Sequence, residues 1–298
     1  MRNNSFAVFI LTHGRAANIV TCRSLKRAGY TGKVYILIDN EDEQEDEYIK
    51  EYGKDVIVFN KGSYEGTFDI QDNFVNQIKG VVYARNANFD IAKKLGLKYF
   101  AQFDDDYVKF QSRFNESYNY NYKGVNNLDA VFDIFIDFLK DTPTRSIAMA
   151  QGGDFIGGEE SSNAESLMLK RKVMNTFFYK TVNPVQFIGR INEDVNMYVN
   201  DGSRGVIYFT FNGYSIVQAE TQTNEGGLTD LYLEQGTYVK SFYTVMLSPS
   251  SVRVSLMGNK NMRLHHNIKW DNTVPKIIRE HIKVTEKIPE KQEIKQDA

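Results

Sequence analysis

The stretch "KYFAQFDDDYVKF", Lys98 to Phe110, sets Asp104, Asp105 and Asp106 between two apolar runs. Like charges repel and Asp is disfavoured in strands, so local propensity does not account for the insertion. A hard divalent cation does, because Mg2+ takes oxygen ligands, commonly one or two carboxylates together with substrate phosphates and several waters. Side chains two apart in an extended segment point the same way, so Asp104 and Asp106 can converge while Asp105 faces elsewhere, toward a sugar hydroxyl or a basic side chain. A solvated acidic turn and a calcium loop are the other readings. The glycine that an EF-hand loop requires is missing, and a metal site is the stronger reading.

Three further groups carry chemistry. In "VVYARNANFDIAKKLG", Arg85 and Asn86 stand near the start of a helix, where a planar guanidinium and the helix dipole both suit a diphosphate. The plainer reading of Arg85 is an ion pair with a neighbouring acid. In "GRINEDVNMY", Gly189 and Arg190 precede Glu193 and Asp194, either of which beside an incoming hydroxyl could take its proton as general base. The same acids after Asn192 are also what a helix start requires. In "MRLHHNIKWDN", His265 and His266 are half of the four histidines, packed with Arg263, Lys269 and the single tryptophan, Trp270. Histidine can ligate a metal or donate to phosphate oxygens, and neighbours on a strand face opposite ways, so at most one of the two can reach a metal while the other is packed or solvated. Taken alone, a structural role for both is the plainer reading.

The elements that must position these groups follow from periodicity. "FAVFIL", "KVYILID", "DVIVFN" and "LKYFAQF" read as strands, while "RAANIVTCRSLKRAG" and "VVYARNANFDIAKKLG" read as helices ending at Gly29 and Gly96. Alternation of this kind predicts an α/β fold with a mainly parallel sheet flanked by helices, its ligand crevice at the carboxyl ends of the strands. Thr12 to Arg15, Asp39 with Asn40, and Asp104 to Asp106 all follow strands, so three loops converge on one rim. Beyond them, "NNLDAVFDIFIDFLKD" and "NEDVNMYVNDGSRG" read as helices, and "RSIAMAQGG", "GVIYFTF" and "SIVQAE" as strands. "GGDFIGGEESSN" reads as a flexible loop and "LYLEQGTYVKSFYTVML" as helical. One domain over residues 1–272 is expected, with a nucleotide-binding half to about residue 110 and an acceptor half after it. Residues 273–298 read as a C-terminal helix and a mobile charged tail.

The chain has 298 residues and a net charge of -2, so no global positive field marks a polyanion binder and any such ligand needs a local patch. Candidates are Lys170, Arg171 and Lys172 in "LMLKRKV", and Arg253, Lys260, Arg263 and Lys269. "YNYNY", Tyr118 to Tyr122, reads either as a stacking surface or as a low-complexity loop. The single cysteine, Cys22, excludes an internal disulfide and fits a reducing compartment. The apolar run at the N-terminus lacks signal-peptide and membrane-span features, so a cytoplasmic protein without membrane association is expected.

The order "ARN", helix, "AKKLG", aromatic strand, "DDD" is similar to the nucleotide-diphosphosugar glycosyltransferases of the GT-A fold. The resemblance implies that Thr12 and Arg15 lie beside the base and that Asp39 meets the base or ribose. It places Arg85 near the nucleotide or phosphates, and Asp104 with Asp106 on ribose and Mn2+ or Mg2+, with Asp105 in the same donor site. It also implies a histidine, His265 or His266, completing the metal site, and Glu193 with Asp194 facing the acceptor. "FILTHGR", "QFDDDY", "RINEDVNMY", "GGLTDLYLEQGTYVKSFYTVMLSPS" and "HHNIKWDN" extend the likeness, from Phe6 to Pro275, to the TET-associated glycosyltransferases of bacteriophages. That resemblance implies a UDP-sugar donor and, as acceptor, the hydroxymethyl group of a modified pyrimidine such as 5-hydroxymethylcytosine in DNA. Arg190, the two basic clusters and Trp270 would then contact the acceptor. The rival expectations are a GT-A enzyme acting on a cell-wall, lipid or protein acceptor, a metal-dependent nucleotidyltransferase or nuclease, and a non-catalytic binding module.

Overall fold

A computed structural model of the chain describes residues 4–70, 80–161, 164, 176–219, 239–257 and 262–275. The elements in chain order begin with β1 (Phe6–Leu11), α1 (Val20–Arg27), β2 (Lys33–Asp39), α2 (Glu45–Tyr52), β3 (Val56–Phe59), α3 (Val82–Lys94) and β4 (Tyr99–Asp104). Next come β5 (Tyr107–Phe114), β6 (Tyr120–Gly124), α4 (Leu128–Asp141), β7 (Ser146–Gln151), β8 (Phe177–Lys180), α5 (Glu193–Gly202) and β9 (Tyr208–Gln218). The last are α6 (Val239–Leu247), β10 (Val252–Met257) and β11 (Arg263–Ile268). No helix among the described residues is long and apolar enough to cross a membrane.

β1 is apolar throughout because both its faces are covered, as central strands of parallel sheets require. Ala7, Phe9 and Leu11 enter one hydrophobic cluster, with α3 and α5, and Phe6, Val8 and Ile10 enter the other, with α1 and α4. The sheet order is β3-β2-β1-β4-β8-β7-β9-β5-β6. The first four strands are parallel, as the alternation predicts. The second half is mixed: β8 runs antiparallel to both β4 and β7, β9 is parallel to β7, and β5 and β6 run antiparallel at the edge. Register matters most at the rim. Leu11 pairs with both Leu37 and Asp104, so the residues that follow β1, β2 and β4 emerge side by side.

Local signals set the ends of the helices. Gly29 follows α1 at φ +81, and a Cβ there would meet the Asn126 carbonyl oxygen at 2.3 Å, so only glycine fits this turn. Asn127 caps α4 by accepting from the Ala130 amide at 3.2 Å. Several elements differ from expectation. The helix expected over residues 15–29 opens with a 3-10 turn, Ala16–Asn18, and becomes α-helical only at Val20. β9 is one eleven-residue strand where two were expected, bent where its pairing with β7 shifts register. The expected loop after β7 contains two 3-10 turns, Gly152–Phe155 and Gly158–Glu160. β5, β6, β8 and β10 were not anticipated, whereas the strand assumed for His265 and His266 is β11, paired with β10 in a ribbon. β8 is only four residues long, and its Phe178 ring is held by Phe6, Phe103, Phe132 and Phe135 at 4.9 to 5.8 Å, contacts supplied by the tertiary structure alone. Residues 231–238 of the expected helix, the Lys170–Lys172 cluster, Lys260 and residues 276–298 lie outside the described residues.

Candidate active site

The aspartate run caps β4 at the rim, and its three carboxylates have different surroundings. Asp105 is 4% exposed and points back into the protein, accepting from Thr12 Oγ1 at 2.6 Å and from Arg15 Nη1 at 2.9 Å. Both carboxylate oxygens are thereby committed to the loop after β1, and of the two directions expected for Asp105 the structure shows the one toward a basic side chain, Arg15. The backbone between Asp104 and Tyr107 is tied to α1 through Thr21, whose hydroxyl donates to the Asp104 carbonyl at 2.7 Å and accepts from the Tyr107 amide at 2.9 Å. Asp104 accepts from Arg85 Nη2 at 2.9 Å.

Among the described residues the Asp106 carboxylate meets only the Gln218 amide, at 3.4 Å, and Gln218 in turn accepts from Gln151 at 2.9 Å. No cationic side chain reaches the Asp106 carboxylate among the described residues. Burial, then the neighbouring charges of Asp104 and Asp105, push its pKa up to about 7. A carboxylate so placed fits a divalent cation, which would relieve that repulsion. No cluster of three or more His, Cys, Asp and Glu side chains suited to a metal occurs among the described residues. One or two carboxylates are nonetheless what a Mg2+ or Mn2+ site completed by phosphates and water requires.

Arg85 is the hinge of the site. It is 2% exposed, projects from the first turn of α3, and donates through Nη2 to Asp104 and through Nε to Glu193 Oε1 at 2.8 Å. Its guanidinium lies 5.5 Å from the Phe177 ring and 5.8 Å from the Phe187 ring, so aromatic faces cover what the carboxylates do not. Its Nη1 is buried with no hydrogen-bond partner among the described residues. Burial opposes the charge, but Asp104 and Glu193 outweigh it and push the arginine pKa up. Arg85 therefore joins Asp104 to Glu193, the ion pair of its plainer reading, though with acids 19 and 108 residues away.

Glu193 and Asp194 open α5 and are 6% and 7% exposed. Burial raises the Glu193 pKa, Arg85 pulls against it, and Asp194 adds to the rise. The preceding Asn192 has φ +57, left-handed backbone that Asn tolerates better than most residues. Its side-chain amide donates to the Lys240 carbonyl at 2.7 Å and to Thr244 Oγ1 at 3.2 Å, tying the acid-bearing turn to α6.

Across the rim, Asp39 is held by His13 Nδ1 at 3.1 Å, by the Glu41 amide at 3.0 Å and by Lys61 Nζ at 3.7 Å. Burial pulls the Asp39 pKa up, but His13 and Lys61 outweigh it and leave the carboxyl below its usual value; the same hydrogen bond raises His13. Asp42 accepts from the Gly14 amide at 2.8 Å, and Tyr48 accepts from the Arg15 amide at 2.8 Å. Lys61, Asp42 and Tyr48 were missed by sequence reasoning. Asp42 sat in an acidic run with nothing to single it out, and a lone Lys after a short strand carries no pattern.

The C-terminal assignments change most. His265 and His266 lie on β11, and their rings stack 4.4 Å apart rather than pointing to opposite sides. Trp270 stacks on Tyr198 of α5 at 5.9 Å and 9°, which makes it a packing contact to the acid-bearing helix. Arg190 is 2% exposed, which places it inside the protein and not on an outer phosphate track. Lys269 is exposed. Arg263 lies on β11, and Lys170, Arg171 and Lys172 fall outside the described residues.

The family model of the TET-associated glycosyltransferases matches residues 6–227, a segment that holds every residue of the rim and the Glu193–Asp194 turn. The chain belongs to the TET-associated glycosyltransferases. This TET-associated glycosyltransferase has no match among curated proteins. Among solved structures it is similar to glucosyl-3-phosphoglycerate synthase from Mycobacterium tuberculosis in complex with Mg2+ and UDP, at 10% identity, 89% of this chain and 88% of that one, and TM-score 0.43. A mannosyltransferase from Pyrobaculum calidifontis in complex with GDP-Man and Mn2+ aligns at 7% identity, 83% and 74% coverage, and TM-score 0.42. A CMP:2-keto-3-deoxy-manno-octonic acid synthetase complexed with CTP aligns at 9% identity, 77% and 95% coverage, and TM-score 0.38.

Proposed function

We propose that this glycosyltransferase moves a sugar from a nucleotide-sugar, a UDP-sugar, to the hydroxymethyl group of a modified pyrimidine in DNA, with Mn2+ or Mg2+ bound at Asp104 and Asp106. The observation that carries the donor side is the rim itself: a half-buried Asp106 with no cationic partner among the described residues, beside an Asp104 already joined by Arg85 to Glu193. When bound, the cation supplies charge stabilisation to the departing diphosphate. The protein's own part is positioning. Asp105 fixes Thr12 and Arg15, Asp42 and Tyr48 fix the backbone of the same loop, and Lys61 with His13 fixes Asp39, so the nucleotide meets a preformed rim.

On the acceptor side, Arg85 holds Glu193 in one orientation at the first turn of α5 and keeps it next to Asp194. In the transfer, the acceptor oxygen bonds to the anomeric carbon, the bond from that carbon to the diphosphate breaks, and the hydroxyl proton passes to a carboxylate of this pair. The DNA acceptor is supported by the family to which the chain belongs, and a base reached by extrusion from the helix would have access to a rim of this kind.

The test is mass analysis of nucleosides after hydroxymethylated DNA is incubated with a panel of nucleotide-sugars and Mn2+. A sugar-sized gain on the hydroxymethylated pyrimidine is expected. Transfer to a lipid, protein or cell-wall polymer with none to DNA would reject the acceptor, and DNA cleavage without sugar transfer would reject the reaction class.

A further inference from the structure

Arg113 lies on β5 in the acceptor half and is 6% exposed. Its Nε donates to Ser215 Oγ at 2.6 Å and its Nη1 donates to the Tyr120 hydroxyl at 3.3 Å. The guanidinium lies 4.4 Å from the Phe155 ring centre and 5.7 Å from that of Tyr122, and Tyr120 stacks on Phe155 at 5.9 Å and 29°. Every partner is neutral. Among the described residues no carboxylate pairs with this arginine, and its Nη2 is neither hydrogen-bonded nor sealed from solvent. A nearly buried cation is ordinarily paired, as Arg85 and Arg15 are here. Arg113 is instead stacked, oriented by two hydroxyls, and left with one open edge of its fork.

The surroundings narrow the ligand. Tyr122, whose ring lies 5.7 Å from the guanidinium, is 58% exposed, so a flat aromatic face borders the arginine on its solvent side. A preorganised guanidinium beside aromatic faces suits a phosphate flanked by a base, whereas an isolated small anion would leave the rings unused. Position narrows it further. β9 supplies a contact at both places, Ser215 at Arg113 and Gln218 at Asp106. The two are roughly 10 Å apart along the strand and, three apart, project from opposite faces of the sheet. A strand of nucleic acid touching both therefore passes over the end of β9, where Gln218 is the last residue. We infer that Arg113, Tyr120, Tyr122 and Phe155 form a phosphate-and-base subsite that anchors the acceptor polynucleotide strand beside the transfer site. This rests on the reading of DNA as acceptor.

Fluorescence anisotropy of a labelled single-stranded oligonucleotide carrying 5-hydroxymethylcytosine, titrated with the full chain across roughly 50 to 200 mM salt, tests it. Arg113→Ala is expected to weaken binding about tenfold or more and to flatten the plot of log affinity against log salt by about 0.7, one single-strand phosphate contact. Arg113→Lys should keep that slope yet lose affinity, because the charge survives and the fork does not. Tyr122→Ala, at an exposed position where folding is not at stake, should weaken binding at least about fivefold through lost stacking. If Arg113→Ala fails to fold, the Lys and Tyr122 variants decide. Unchanged affinity in these variants, or no oligonucleotide binding by the unmodified protein, overturns the subsite. Arg113-dependent binding with no sugar transferred to DNA overturns the acceptor reading instead and leaves the subsite standing.

Discussion

Removing the Arg85 guanidinium is the most severe single perturbation of the site. Arg85→Met keeps much of the side-chain volume against Phe177 and Phe187 but leaves Glu193 buried at 6% exposure, beside Asp194 and with its cation gone. Taking one partner from a buried ion pair costs about 3–5 kcal/mol, because the remaining charge is uncompensated. At no more than about 2–4 °C per kcal/mol, the conversion for domains somewhat smaller than this one, the midpoint of thermal unfolding should fall by up to roughly 6–20 °C. Neutralising the stranded acid as well should return part of that loss, so Arg85→Met/Glu193→Gln is expected to be more stable than Arg85→Met alone. The sign of the pH effect follows. The Glu193 pKa is already raised, burial being the main cause and Arg85 the restraint; without Arg85 it rises further. The folded state then holds a proton that the unfolded state has released, so the single variant should lose stability more steeply than the double variant as pH climbs above the ordinary carboxylate range, both keeping the slope that Asp106 contributes. Urea unfolding of the four proteins of this cycle at several pH values gives the coupling directly. A coupling near zero, or an Arg85→Met protein within about 1 kcal/mol of the parent, would refute the bridge, since exposed ion pairs rarely exceed that value.

Asp106 should behave as a site kept for function at the expense of stability. Its pKa stands at about 7 against the usual 3.8, so without metal the folded state loses stability as pH rises from 4 to 7, and Asp106→Asn should remove that loss, measured as a flatter dependence of the melting temperature on pH. The same variant and Asp106→Ala are expected to lose Mn2+-dependent sugar transfer while remaining folded, and full transfer by either would end the metal assignment. Asp105→Ala should act oppositely, destabilising the protein by about 3–5 kcal/mol because Arg15 and Thr12 lose their shared anchor, and raising the KM for the nucleotide-sugar more than it lowers turnover on the same substrate.

Much of the rim was legible because it lies at the ends of strands with strong period and clear stops. β1, β2 and β4 read as buried runs, and their register brings Thr12, Asp39 and Asp104 together as alternation predicts. The division of the three aspartates was half legible. Alternation separated Asp105 from its neighbours, but only the fold could show that it turns inward to Thr12 and Arg15. Arg85 looked like a phosphate ligand because a local window shows it near a helix start, while Glu193, its partner, is 108 residues away. Long-range pairing also explains the missed strands. β8 has four residues and β6 is a Tyr-rich segment with four of its five residues exposed, so neither buries enough of its own pattern to announce itself. Trp270 and the two histidines drew attention by rarity, a property of composition that says nothing about what a ring stacks on.

The Asn192 contact with α6 bears on where the functional unit ends. The family match stops at residue 227, yet the turn presenting Glu193 and Asp194 is held in its left-handed backbone by the Lys240 carbonyl and Thr244, both on α6, while Ser241 of the same helix donates to the Leu264 carbonyl of the ribbon. A chain cut after residue 227 would keep every side chain of the rim and lose the brace that sets the angle of its acids. The segment of recognisable ancestry and the segment that works as a machine therefore differ in length. Homologues that carry the rim but replace the C-terminal portion must brace this turn with some other backbone carbonyl, or replace Asn192 with glycine.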